Sequence, residues 1–150
     1  MAQNNGRAGS KKNTPPNSQR LPLKVKTALA DLQRRVLELF PNDIQAITLY
    51  GSYARGEAVQ DSDVDVLLVV KWTEEQSPDG EYLAWFGDPR WNRIIDIATD
   101  VLLDRGVYIS PHVVSAIRFA HGKDTLLTAI RREGKTLWPK TKTTPKIRQI

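Results

Sequence analysis

Residues 49–70 read LYGSYARGEAVQDSDVDVLLVV. The closing run, Val66–Val70, is continuously apolar, the pattern of a strand buried on both faces of a sheet. Asp63 and Asp65 stand at its mouth. Alternate side chains of a strand share a face, so these two carboxylates point one way and Val64 the other. Ionised together they repel, and burial raises their pKa values. A cation between them would relieve both effects. Hard oxygen donors in this arrangement suit Mg²⁺ or Mn²⁺, which keep several waters and complete their octahedron with substrate phosphates. Upstream, Gly51-Ser52 interrupts the preceding strand. A glycine there allows close backbone approach, and the Ser52 hydroxyl with neighbouring N–H groups can donate to an anion. Arg55 offers a charge-assisted fork, and Ser62, which ends the ten residues between Ser52 and Asp63, is a further candidate for nucleotide binding. Positioning phosphates and neutralising their charge is the chemistry of phosphoryl or nucleotidyl transfer.

Working outward, strands and helices alternate. Val25, Leu29, Leu32, Val36 and Phe40 recur at three- and four-residue steps, predicting an amphipathic helix over 23–40 that Pro41 ends. A strand follows at 44–50, a short turn or helix at 53–59, and a second strand at 63–70. The stretch 72–87, with Ser77-Pro78-Asp79-Gly80, is the least patterned and reads as a loop or frayed helix. Asp88-Pro89 is an N-cap and first helical residue, and the apolar face from Trp91 to Leu102 stops at Gly106. A third strand is expected at 107–114, with Pro111 indicating an edge or a bulge. A last helix over 124–133 and a short strand at 136–138 complete an α/β (α+β) plan, a small sheet flanked by helices.

The 150 residues suit one domain. No run approaches the roughly 20 apolar residues that span a bilayer, and the polar start lacks the apolar core of a secretory signal, so the expectation is a cytoplasmic protein with no membrane association. The net charge of +5 sits in the ends: residues 1–20 and 139–150 each carry four bases and no acid, leaving 14 basic against 17 acidic residues between them. Both ends are poor in apolar residues, and that composition predicts disordered basic tails around a folded unit at 21–138. Tails of this kind give at most weak contact with nucleic acid.

The order of strand, Gly-Ser, ten residues, Asp-x-Asp and VLLVV resembles the signature of the minimal nucleotidyltransferases of the DNA polymerase β superfamily. GVYISPHVVS and TAIRREG are similar to the stand-alone members often paired with HEPN-domain proteins. The resemblance covers about residues 23–138. It implies a mixed sheet flanked by helices, ATP or another nucleoside triphosphate as donor, and two divalent ions. Gly51 and Ser52 would bind the triphosphate, while Asp63 and Asp65 would hold the metal. It further implies transfer of AMP to a hydroxyl, such as a side chain of a HEPN-type partner in a toxin–antitoxin pair. One departure stands out. The superfamily uses a third carboxylate on a neighbouring strand, yet no acid lies between Arg105 and Lys123. The expected strand offers Tyr108, Ser110 and His112 instead. His112 is the candidate base or ligand there, with a structural histidine as the competing reading. Asp96, Asp100 and Asp104 read as the solvated face of their helix. The alternative to an enzyme is a scaffold that binds nucleotide or partner without turnover.

Overall fold

The apolar periodicity of residues 23–39 produces helix α1, Leu23–Leu39, which buries Ala28, Leu29, Leu32 and Val36. This computed structural model describes residues 21–81, 85 and 87–140. After α1 come β1 (Ile44–Tyr50), α2 (Ser52–Arg55), β2 (Val64–Val70), α3 (Pro89–Arg105), β3 (Ile109–Ser115), α4 (Ala116–His121), α5 (Thr125–Glu133) and β4 (Lys135–Trp138). The sheet order is β3-β2-β1-β4. β1 runs antiparallel to β2 and β4, whereas β2 and β3 are parallel and are joined by the crossover helix α3.

The apolar run that opened the reading is the centre of this mixed sheet. Val64, Val66, Leu68 and Val70 face α1 and α3, where they meet Leu32, Val36, Ile94 and Val101 in the larger core. Leu67 and Val69 face the other way, onto Val114 and onto Leu127 and Ile130 of α5. Each such side chain contributes about 1.5–3 kcal/mol on full burial. Asp65 shares the face of Leu67 and Val69. It is the first position at which that face turns from apolar to charged.

Boundaries of the longer helices and the strands agree with expectation to within one or two residues, and the caps explain why, whereas α2, expected within 53–59, ends at Arg55 because Gly56 closes it in the left-handed conformation. Asp88 accepts the Arg90 N–H with Pro89 at the first helical position, Gly106 closes α3 at φ 73°, and Asp124 accepts the Leu127 N–H to start α5. β3 lies at the sheet edge, the position Pro111 indicated. Two features were not anticipated. The six residues of α4 are too few to show a periodicity, and the helix begins because the Ser115 hydroxyl accepts the Arg118 N–H. The unpatterned stretch after β2 is anchored by buried Trp72, which meets Phe40 and Trp85 edge-on beneath the Arg90 guanidinium. Asp96, Asp100 and Asp104 are exposed as expected, but Asp104 also accepts a 2.6 Å bond from Arg35. The basic segments 1–20 and 141–150 lie outside the described residues.

Candidate active site

β1 ends at Tyr50, and the chain turns through Gly51 at φ 79°, ψ −158° into α2. Side chains other than glycine rarely adopt this backbone. A second constraint acts on the same atom: a Cβ on Gly51 would overlap the Asp65 Oδ2 and stand 3.1 Å from its Cγ. The strand register produces this closeness, because Tyr50 pairs with Asp65 across β1 and β2. The turn is held by the Gly51 carbonyl, which accepts the N–H groups of Ala54 at 3.0 Å and Arg55 at 3.1 Å. The Gly-Ser break and the Asp-x-Asp pair are therefore one construction, although ten residues separate them in the chain.

Those residues are themselves ordered by hydrogen bonds. Ser62 Oγ accepts the Val59 N–H at 2.8 Å, and the Ser62 N–H donates to the Val59 carbonyl at 2.9 Å. In this structure Ser62 shapes the turn that delivers Asp63. Arg55 is bonded to Glu57 at 2.9 Å and stands 3.8 Å from Glu133, so its fork is engaged by carboxylates, which raise its pKa, while its charge still reaches Asp65.

Burial pushes the Asp65 carboxyl above the usual range, the charge of Asp63 adds to the shift, and Arg55 opposes it. Burial and then the charge of Asp65 push the Tyr50 hydroxyl up to about 12. Tyr50 is a neighbour of the site that the linear sequence did not mark, since only the pairing of β1 with β2 brings it there. A raised carboxyl beside another carboxylate is a site short of positive charge. Among the described residues no group of three or more His, Cys, Asp and Glu side chains is arranged to hold a metal. The donor set is thus a carboxylate pair, which fits an ion that takes its remaining ligands from water and substrate phosphates rather than from an all-protein cage.

The neighbouring strand bears on the third carboxylate. In β3 the residue paired with Asp65 is Ser110, and His112 pairs with Leu67, one strand repeat further along. Burial and the Arg118 charge lower the pKa of His112, opposed by Asp124 and Glu74. His112 therefore sits among the groups that anchor α4: Glu74 accepts the Ser115 hydroxyl at 2.5 Å and lies 3.4 Å from the Arg118 guanidinium. The structure brings Gly51, Arg55, Asp63 and Asp65 into one electrostatic neighbourhood and places His112 in another.

Two clefts open on the far side of Asp63. One, of about 280 Å³, is lined by Lys24, Tyr53, Asp61, Asp63, Leu102 and Tyr108 among others; the second, of about 360 Å³, is lined by Leu21, Pro22, Tyr53, Val59 and Gln60 among others. Tyr53 and Gln60 belong to both. Lys24 and Tyr53 escape a reading of the sequence because each lies on a helix whose relation to Asp63 is set only by packing.

The nucleotidyltransferase domain family matches residues 29–132. The chain belongs to this nucleotidyltransferase family. Two relatives come from Methanocaldococcus jannaschii. "Putative protein adenylyltransferase MJ0604" is 36% identical over 72 residues, covering 48% of this chain and 55% of that protein. "Putative protein adenylyltransferase MJ1305" is 33% identical over 86 residues, covering 57% of this chain and 52% of that protein. The chain spans about half the length of these curated relatives. Among solved structures, a toxin–antitoxin complex with AMP-PNP is 19% identical with a TM-score of 0.45, covering 73% of this chain and 72% of that one. A mutant of the toxin–antitoxin pair MntA-HpeT is 21% identical with a TM-score of 0.42, covering 72% and 70%.

Proposed function

We propose that this nucleotidyltransferase domain binds ATP with Mg²⁺ or Mn²⁺ at Asp63 and Asp65 and transfers AMP to a hydroxyl of a partner protein. The observation that carries the reading is the fit of Gly51 beneath Asp65. It joins a phosphate-type turn to a carboxylate pair that is short of positive charge. The relatives named as adenylyltransferases of proteins support the acceptor class, and the resemblance to stand-alone members supports a HEPN-type partner.

The residues divide the work as follows. Gly51 keeps the turn free of a side chain, so that a phosphate and the Asp65 carboxylate can approach the same backbone. Ser52 donates to the triphosphate. Asp63 and Asp65 would hold the divalent ion, whose chemistry when bound is to neutralise phosphate charge. Arg55 can exchange Glu57 for a phosphate oxygen, because that ion pair is exposed and weakly held. In the reaction the acceptor oxygen attacks the α-phosphorus and the bond to the pyrophosphate oxygen breaks. Pyrophosphate leaves, and the hydroxyl proton passes to solvent.

A second reading is nucleotide or partner binding without turnover. The pairing of Asp65 with Ser110 favours it, since β3 sets a hydroxyl and not an acid opposite Asp65. One experiment separates the two. The chain is incubated with its genomic neighbour, ATP and Mg²⁺, and the intact mass of both proteins is measured. A gain of AMP units on the neighbour that is absent with Asp63→Asn supports transfer. A stable complex with bound ATP and no mass change supports the binding module, and Mg²⁺-ATP binding that Asp63→Asn with Asp65→Asn leaves unaltered refutes both.

A further inference from the structure

Lys24 is placed by two helices and paired with none of their acids. It stands in the first turn of α1, where its charge opposes that helix's own dipole. Its side chain crosses to the close of α3: a Cβ on Gly106 would stand 3.4 Å from Lys24 Nζ and 3.5 Å from its Cε. The carbonyl end of α3 attracts a cation and favours the ammonium at this place. Lys24 and Gly106 both line the cleft of about 280 Å³ that Asp61 and Asp63 also line, and Lys24 is the one base among its lining residues. Among the described residues neither Lys24 nor Asp61 nor Asp63 takes part in an ion pair. The neighbouring guanidinium groups are engaged elsewhere: Arg34, Arg35 and Arg105 close on Asp31, and Arg55 is bonded to Glu57.

An amine and two carboxylates that share a cleft without pairing across it suit a ligand carrying both signs. A free anion is repelled by Asp61 and Asp63, and a free cation by Lys24. A phosphate that brings a divalent ion satisfies both walls, the ion toward the carboxylates and a phosphate oxygen toward the ammonium, which is a compact point charge with three donors. Its place along the nucleotide follows from the order of the groups. Gly51 and Ser52 lie on the Asp65 side, whereas the cleft opens on the far side of Asp63. A nucleotide whose terminal phosphates rest on the Gly51-Ser52 turn therefore carries its α-phosphate and nucleoside past Asp63 toward Lys24.

We propose that Lys24 is a further nucleotide-binding residue of this site, its ammonium pairing with the α-phosphate from the wall of the cleft opposite Asp63. This deepens the nucleotide site proposed for the domain and rests on it. When the acceptor oxygen attacks the α-phosphorus and the bond to the pyrophosphate oxygen breaks, Lys24 stays protonated and faces the oxygens that hold negative charge through the step. The carboxylates act from one side and Lys24 from the other, so the reacting phosphate is fixed between them.

The test needs no acceptor. Binding of Mg²⁺-ATP to the full chain is measured by calorimetry for wild type, Lys24→Gln, Lys24→Arg and Asp63→Asn with Asp65→Asn, together with melting temperatures and ³¹P spectra of the bound nucleotide. Lys24→Gln weakens binding about tenfold, and Lys24→Arg, which keeps the charge, recovers most of the loss. In Lys24→Gln the α-phosphorus resonance moves while the β and γ resonances keep their wild-type positions. Wild-type affinity in Lys24→Gln overturns the proposal, and a lowered melting temperature beside it would make Lys24 only a partner of the α3 terminus. A loss as large in Lys24→Arg also overturns it, since the contact would then depend on shape rather than charge. So does a change at the β or γ resonance in place of the α resonance. The two levels of the reading fail differently: Mg²⁺-ATP binding that the carboxylate variant leaves unaltered refutes the nucleotide site and the contact with it, whereas binding lost in that variant and kept in Lys24→Gln refutes the contact alone.

Discussion

Gly51 carries two demands at one Cα. Its φ of 79° costs a side-chain-bearing residue about 1 kcal/mol or more, and an added methyl would also displace the Asp65 carboxyl. Gly51→Ala should therefore destabilise the fold by about 1–3 kcal/mol in urea and abolish nucleotide binding. The two causes separate in a double-mutant cycle: with Asp65→Ala in place, Gly51→Ala should cost only the backbone share. Asp65 itself predicts a pH dependence. Its folded pKa is raised, by burial first and then by Asp63, so ionisation disfavours the folded state. The stability present below the unfolded value of about 3.9 is lost as pH rises through the shifted value. Asp65→Asn should melt above wild type at pH 7, with the difference shrinking to nothing below about pH 4. A gap that persists undiminished in acid would assign the effect to packing instead.

At the scale of elements, α1 and α3 are joined by a charge cluster as well as by their shared apolar core. Asp31, with its side chain 2% exposed, accepts Arg34 at 2.7 Å, Arg35 at 3.0 Å and Arg105 of α3 at 2.8 Å. Arg35 reaches on to Asp104 at 2.6 Å. The arginines hold the Asp31 carboxyl far below the usual carboxylate range, Arg35 first and Arg105 next. Removing the anion leaves three guanidinium groups competing for water in a partly covered seam, and breaking a buried pair in this way costs about 3 kcal/mol or more. Asp31→Ala should unfold at correspondingly lower urea. Asp31→Asn keeps the shape and loses the charge. Because the folded pKa is depressed, the stabilisation is present above the unfolded value and is lost as pH falls through the folded one. The variant should therefore differ most from wild type at neutral pH and converge with it in strong acid. The connection after β2 is held by a separate device, the Glu74–Ser115–Arg118 cluster. Ser115→Ala strips Glu74 of its shortest bond and α4 of its cap, at a cost of about 1–3 kcal/mol.

For the whole molecule, the described core lies entirely between Val25 and Ile130, and the last strand ends at Trp138. A chain trimmed to residues 21–140 should keep its melting temperature while losing most of any salt-sensitive affinity for polyanions, since eight of the bases lie at the two ends and only Lys140 of those would remain. A loss of cooperative melting on trimming would show that the ends contribute to the fold. No helix among the described residues is long and apolar enough to cross a membrane.

What could be read without coordinates follows from periodicity and local chemistry. The VLLVV run, the three-and-four spacing of α1 and α3, and the caps at Asp88, Gly106 and Asp124 each carry their meaning within a few residues, so helix and strand emerged nearly in place. The electrostatic coupling of Asp63 to Asp65 was equally local, because a single residue separates them. Other features depend on distance in sequence collapsing to distance in space. That Gly51 lies under Asp65, that Tyr50 stands beside it, and that Ser110 rather than His112 is its neighbour in β3 are consequences of register, which a strand's own residues do not encode one partner at a time. The short helix α4 exists because a hydroxyl caps it, and the stretch after β2 is held by Trp72 and Glu74, contacts whose partners lie tens of residues away.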